Sequence, residues 1–165
     1  MAVAIIVART VSHGLERPAR VKWPNDVLSR GRKLSGILLE SWSRGAADTE
    51  ALVGVGINVH HTCERLPVPG ATSLALEGAT DPDIAQLAAE IGQSLRKFLE
   101  APIPMAEVVD EYRIWSQHTL GDRLRCRVGN EVIEGEFAGF DPGGALLLER
   151  RGRVRRLTSS EIVEA

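Results

Sequence analysis

The chain has 165 residues, 44% of them hydrophobic and 25% charged, and a formal net charge of −2. This composition is typical of a soluble globular protein of one or two domains, and the charge gives no electrostatic drive toward nucleic acid or a membrane surface. Its two cysteines, Cys63 and Cys126, lie far apart and no apolar run is long enough to span a bilayer, which favours a cytoplasmic protein without disulfides.

The first element is a predicted amphipathic helix. Apolar residues recur at helical spacing in the first fifteen residues, at Val3, Val7, Val11 and Leu15. No residue suited to N-capping precedes them. Because a domain seldom begins inside a core helix, we expect further sequence before Met1 in the intact protein.

Three strands are predicted next. The segment ARVKW (residues 19–23) ends at Pro24, because proline has no N–H to donate to a sheet. The apolar runs KLSGILLESW (33–42) and ALVGVGINV (51–59) are predicted to be adjacent core strands, forming an antiparallel pair joined by a polar loop at residues 43–50.

Two helices follow. Residues 81–100 form the clearest one, with Asp81 as the predicted N-cap and Pro82 at the first helical position. Its predicted inward face consists of Ile84, Leu87, Ile91, Leu95 and Phe98. A second amphipathic helix is predicted over residues 105–116, with Val108, Val109, Tyr112 and Trp115 inward.

The pattern changes to short strands after Gly121. DRLRCRV, VIEGEFAGF, ALLLER and VRRLT are separated by turns rich in glycine, which indicates a small SH3-like barrel. We therefore predict an α+β protein. Residues 1–117 are the first domain, with helices packed on part of a mixed sheet, and residues 118–165 are the barrel.

Polar residues and glycines cluster around the predicted strand ends. Asn25 and Asp26 follow Pro24, where short polar side chains can meet a ligand or simply form an Asx turn. Lys33 begins the next strand, either as a ligand-binding cation or as a solvated residue that discourages aggregation. The remaining candidates are Gly36, Gly54, Gly56 and Asn58; the glycines either expose the backbone to a ligand or mark bulges.

Four segments together resemble the biotin protein ligase family. VKWPND, RKLSGILLE and VGVGINV are similar, in order and spacing, to three signature segments of its catalytic domain. GFDPGGALLLE is similar to its SH3-like C-terminal domain. The resemblance implies a class II synthetase-like fold. It also implies an enzyme that joins biotin to the α-phosphate of ATP and then transfers biotin to a lysine of a carrier protein.

The resemblance also implies roles for the clustered residues. Lys33 is the catalytic residue that contacts the biotin carboxylate and the phosphoryl oxygen, since positive charge is needed where two anions meet. Gly36, Gly54 and Gly56 leave room for biotin beside it. The implied ATP-binding residues are Lys22, Asn25, Asp26 and Asn58, with Asp26 also a candidate ligand for Mg²⁺.

One departure from the family limits these expectations. The family carries a Gly/Arg-rich loop before the first helix, and only the short stretch SRGRK (29–33) in a different segment resembles it here. We therefore expect impaired activity from the chain alone. A non-catalytic binding or assembly module and a lipoate-attaching ligase remain alternatives. The implied partner is a biotin carboxyl carrier domain of acetyl-CoA carboxylase or a related carboxylase, and a homodimer remains open.

Overall fold

A computed structural model describes residues 1–43 and 49–163 of the chain. Within these ranges there are three α-helices, α1 (Ala2–Ser12), α2 (Ile84–Glu100) and α3 (Met105–Trp115), and one 3-10 turn at Cys63–Arg65. Most of the predicted 43–50 loop lies outside the described residues. None of the three α-helices combines the length and apolar character that a bilayer crossing requires.

The first sheet contains four strands in the order β1-β2-β3-β4, paired antiparallel throughout. They are β1 (Arg20–Lys22), β2 (Asp26–Ser29), β3 (Arg32–Ser43) and β4 (Thr49–Ile57). The antiparallel pairing of β3 with β4 and the end of β1 before Pro24 are confirmed. The sequence analysis missed β2. It is joined to β3 by Arg30 and Gly31, whose φ angles of 50° and 77° are typical of a two-residue hairpin turn.

The second sheet contains five antiparallel strands in the order β8-β7-β6-β5-β9. Its strands are β5 (Arg123–Val128), β6 (Glu131–Phe140), β7 (Leu146–Arg150), β8 (Arg153–Leu157) and β9 (Glu161–Val163). The four predicted strands are present, and β9 was missed because three residues are too short to show alternation. The α+β class is confirmed, whereas the SH3-like barrel and the domain boundary after residue 117 stay predictions.

Helix α3, which contacts both β1 and β6, and a side-chain hydrogen bond hold the sheets together. Helix α1 packs on β1, β2, α2 and α3. The predicted apolar stripe is confirmed at Val7 and Val11, which are buried, whereas Val3 is partly buried and Leu15 lies beyond the end of the helix. The indole Nε1 of Trp23 donates to the carbonyl of Gly144 at 3.1 Å, joining the first sheet to the β6–β7 turn. These contacts fix the start of the first sheet against the second sheet.

The prediction that both apolar runs are core strands is wrong for their outer half. Leu38, Leu39 and Leu52 are 61%, 56% and 57% exposed. Leu39 lies on the face opposite Leu38 and Leu52, so the β3–β4 hairpin is open on both sides. Instead, α1 lies over β1 and β2, and α3 contacts β1. None of the principal helix contacts involves β3 or β4.

The predicted N-cap of α2 is also wrong. The carboxylate of Asp83, not Asp81, accepts hydrogen bonds from the amides of Ala85 and Gln86 at 2.7 and 3.2 Å. Asp81 has a φ of 44°, a left-handed conformation before Pro82 that delays the helix. As a result Ile84 starts the helix and is 59% exposed, rather than inward.

The open hairpin predicts measurable hydrophobic exposure. We expect the chain to bind an apolar fluorescent dye and to self-associate. Replacing Leu39 and Leu52 with lysine should reduce both without changing the unfolding midpoint, because neither side chain is buried. Dye fluorescence and sedimentation velocity measure the two effects. Val154→Lys is the matched control, since Val154 is 60% exposed on β8; an equal reduction by this control would contradict the assignment to the hairpin.

Candidate functional site

An ion pair joins the starts of β2 and β3. Lys33 Nζ lies 2.6 Å from Asp26 Oδ1, and the two side chains are 42% and 21% exposed. Asp26 stands opposite Gly36 in the β2–β3 register. A Cβ on Gly36 would lie 3.4 Å from Lys33 Cε and 3.8 Å from Asp26 Oδ1, so glycine leaves the space that the ion pair uses.

A β-bulge places Lys33 on this face of the sheet. Strand alternation alone would put Lys33 and Gly36 on opposite faces, since they are three residues apart. The register moves from Ser35 opposite Val27 to Lys33 opposite Leu28, so Leu34 is the extra residue. A bulge of this kind re-aims the side chains on one side of it. It brings the ammonium onto the same face as Asp26.

Three glycines form a bare strip on the same face. Gly36 pairs with Gly56, and Leu38 pairs with Gly54, so all four share a face with Asp26. Added Cβ atoms on Gly54 and Gly56 would have no neighbour closer than 3.8 Å. The strip leads from the ion pair along the sheet to the exposed Leu38. A thin, largely apolar ligand could lie along it with an anionic end at Lys33.

Asn25 and Asn58 stabilise the backbone around the ion pair. Asn25 Nδ2 donates to the carbonyl of Ile37 at 2.7 Å, and the Ile37 amide donates back to the carbonyl of Asn25 at 2.9 Å. Asn58 Nδ2 donates to the carbonyl of Thr72 at 2.9 Å. The amide nitrogen of each asparagine therefore fixes a strand end, and its side-chain oxygen has no hydrogen-bond partner among the described residues.

A buried carboxylate that the sequence analysis missed stabilises the backbone at Lys33 through Thr72. Glu77, whose side chain is 1% exposed, accepts hydrogen bonds from Ser29, Thr72 and Arg32 at 2.8, 2.6 and 2.5 Å. Burial raises the pKa of Glu77, but the hydrogen bonds and the Arg32 charge outweigh it and hold the pKa below its ordinary value. The Thr72 amide donates to the carbonyl of Lys33 at 2.8 Å.

The ion pair faces a cleft between the two sheets. The space of about 510 Å³ is lined by Lys22, Asp26 and Lys33 on one side. The other side is lined by Arg127 of β5, Glu161 of β9 and Ser159 of the segment between β8 and β9. We call this space the inter-sheet cleft. Lys22 ends β1 opposite Asp26, so the structure brings Lys22, Asn25, Asp26 and Lys33 together here, whereas Gly54, Gly56 and Asn58 lie outside its lining.

Two further groups lie close to the cleft. His118 lines an adjoining space of about 560 Å³; burial and the Lys22 charge lower its pKa, and Asp122 partly offsets them. The buried hydroxyl of Tyr112 has no hydrogen-bond partner among the described residues, and burial and the nearby Asp26 charge raise its pKa. His118 has no sequence signal beyond its residue type. Helical spacing placed Tyr112 on the inward face of its helix, but it could not show that the hydroxyl lies near Asp26, which belongs to another element.

Comparison with known proteins identifies the family. The model of the biotin/lipoate A/B protein ligase family matches residues 2–58. A biotin--[acetyl-CoA-carboxylase] ligase of Paracoccus denitrificans is 34% identical over 98% of this chain and 69% of its own length. The chain belongs to the biotin protein ligase family. The expected resemblance is confirmed, and the matched residues 2–58 include Lys22, Asn25, Asp26, Lys33 and Asn58.

Other members of the biotin protein ligase family match over different shares of their length. The Mycobacterium tuberculosis biotin--[acetyl-CoA-carboxylase] ligase is 33% identical over 87% of this chain. The match covers 52% of the length of that ligase, so this chain spans about half of it. The Aquifex aeolicus biotin protein ligase in complex with biotin and ATP is 26% identical, with a TM-score of 0.70 over 98% of this chain and 70% of that one. The fold of this chain is therefore similar to that of a ligase whose structure holds both biotin and ATP.

Proposed function

We propose that this chain supplies the activation site of a biotin protein ligase. In this reaction the biotin carboxylate attacks the α-phosphate of ATP, the bond to the β-phosphate breaks, and biotinyl-adenylate and pyrophosphate form. The carrier lysine then attacks the acyl carbon and AMP leaves. The observation that carries the proposal is the position of Lys33, between the glycine strip and the inter-sheet cleft.

The site's geometry supports a different substrate on each side of Lys33. The strip of Gly36, Gly56 and Gly54 has no side chains that would block the apolar tail of biotin. The inter-sheet cleft carries Lys22 and Asn25, which can face a nucleotide. A compact ammonium at the junction can neutralise both anions as they approach, which lowers the barrier by preorganised charge.

Magnesium fits the cleft as an ion shared with the nucleotide. Mg²⁺ is usually held by one or two carboxylates together with substrate phosphates. Asp26 and Glu161 both line the inter-sheet cleft, whereas no cluster of three or more metal-binding side chains occurs in the described part of the chain. Asp26 would hold the ion once Lys33 turns from it to the substrate, and the ion would offset phosphate charge.

The relatives' names point to the partner. The Paracoccus and Mycobacterium relatives are ligases for acetyl-CoA carboxylase, so we assign a biotin carboxyl carrier domain as the acceptor. A cytoplasmic location follows from that substrate. Biotin is favoured over lipoate because the named relatives act on biotin. A homodimer stays a prediction.

The test is biotin-dependent exchange of labelled pyrophosphate into ATP, followed by biotinylation of an isolated carrier domain. We expect exchange to require biotin, and lipoate not to replace it. We expect exchange by the chain alone to be slow, because the Gly/Arg-rich loop is expected in the part of the Paracoccus relative that the match leaves out. Exchange should be faster when that segment is added as a separate polypeptide or fused to the chain. Binding of biotin and ATP without exchange, even in the fused protein, would favour a non-catalytic module.

A further inference from the structure

Arg127 lines the inter-sheet cleft from the second sheet. It is exposed near the end of β5, in none of the segments that carry the family resemblance. It lines the same space as Lys22 and Lys33, but it belongs to the second sheet. The two walls are held together by the bond from Trp23 to Gly144. The cleft therefore receives cations from both sheets.

The two cations Lys33 and Arg127, which line the cleft, differ in how closely each is paired with a carboxylate. Lys33 is held by Asp26 at 2.6 Å, whereas Arg127 Nε lies 4.0 Å from Glu161 Oε2, at the outer limit of an ion pair. Among the residues that the structure describes, this is the only ion pair of Arg127. A guanidinium has five N–H donors in a planar fork, so most of the hydrogen-bonding capacity of Arg127 is available to a ligand in the cleft.

The triphosphate of ATP needs more positive charge than Lys33 supplies. Lys33 is placed for the carboxylate and the α-phosphate, and its single ammonium acts as a point charge. The β- and γ-phosphates carry most of the negative charge and leave together as pyrophosphate. An arginine suits them because its planar donors match two phosphate oxygens at once.

We propose that Arg127 binds the β- and γ-phosphates of ATP from the second sheet, opposite Lys33. The inference rests on the proposed function and extends the nucleotide site to a strand that the family signature does not contain. Arg127 is a substrate-binding residue in this proposal, and it stabilises pyrophosphate as the leaving group. The second sheet then completes the nucleotide site and is more than an appended module.

Calorimetric titration of the full chain with Mg·ATP and with AMP tests the proposal. We expect Arg127→Gln to raise the Kd for Mg·ATP about tenfold or more, because a charge-assisted contact is lost. Its Kd for AMP should stay within twofold, since AMP lacks the β- and γ-phosphates. Arg127→Lys should recover part of the ATP affinity, keeping the charge without the fork.

Arg125→Gln is the matched control. Arg125 lies two residues earlier on β5 and is also exposed, at 45% against 55% for Arg127. It pairs with Glu134 at 3.0 Å, outside the inter-sheet cleft. The Arg125→Gln variant should bind both Mg·ATP and AMP with Kd values within twofold of those of the unmodified chain. The inference is overturned if Arg127→Gln leaves ATP binding within twofold of the unmodified chain, or weakens ATP and AMP equally. If the unmodified chain binds no ATP, the proposed function fails as well, which is a distinct outcome.

Discussion

Replacing Lys33 with alanine is expected to slow biotin-dependent pyrophosphate exchange by on the order of a hundredfold or more. The ammonium is held by Asp26 at 2.6 Å, at the point where we propose that the carboxylate and the α-phosphate meet. Its removal therefore raises the energy of the transition state. The unfolding midpoint should change little, because the side chain is 42% exposed. Lys33→Arg should recover activity only in part, since the wider head crowds Gly36.

The other two lysines of the chain, Lys22 and Lys97, provide the controls. Lys97→Ala, on α2, should leave exchange unchanged, and Lys22→Ala should have a milder effect than Lys33→Ala. If exchange by the chain alone is too slow to measure, every variant is made in the fusion of the chain with the unmatched segment of the Paracoccus relative. Near-normal exchange by Lys33→Ala would remove its catalytic assignment. Poorer solubility with unchanged chemistry would support the reading of Lys33 as a solvated gatekeeper.

Replacing Glu77 with alanine is expected to lower the free energy of unfolding by about 3 kcal/mol. Its carboxylate is buried and accepts three hydrogen bonds, and removing one member of such a network leaves the other groups unsatisfied. Urea denaturation measures the change. Glu16→Gln is the matched control, because Glu16 pairs with Arg30 of the neighbouring turn but is 78% exposed. An exposed pair of that kind contributes about 1 kcal/mol or less.

The Glu77 contribution should depend on pH in a defined direction. The pKa of Glu77 is lower in the folded chain than its ordinary value of 4.5, so below that value the unfolded state binds more protons than the folded state. Stability from this group is therefore fully present above about pH 4.5 and is lost as the pH falls through the folded pKa. The difference in stability between the unmodified chain and Glu77→Gln should shrink in that range. A difference that stays constant down to pH 3 would contradict the assignment.

Local chemistry in the sequence determined much of the site. Pro24 ends a strand because it has no N–H to donate, and this alone places Asn25 and Asp26 beside the strand end. Glycines within apolar runs marked Gly36, Gly54 and Gly56 as positions where the backbone is bare. These signals depend only on a residue and its immediate neighbours, so they can be recognised in the sequence before the fold is known.

Other features were decided only by tertiary structure. The bulge at Leu34 reverses the strand alternation and puts Lys33 on the face of Asp26, which residue spacing alone does not predict. The helices cover β1 and β2 and leave the outer half of β3 and β4 open, although those strands are more apolar. Glu77 and Ser29 are 48 residues apart, and Arg127 reaches the cleft from another sheet. Such pairings depend on how distant elements pack, so no local pattern of residue types could reveal them.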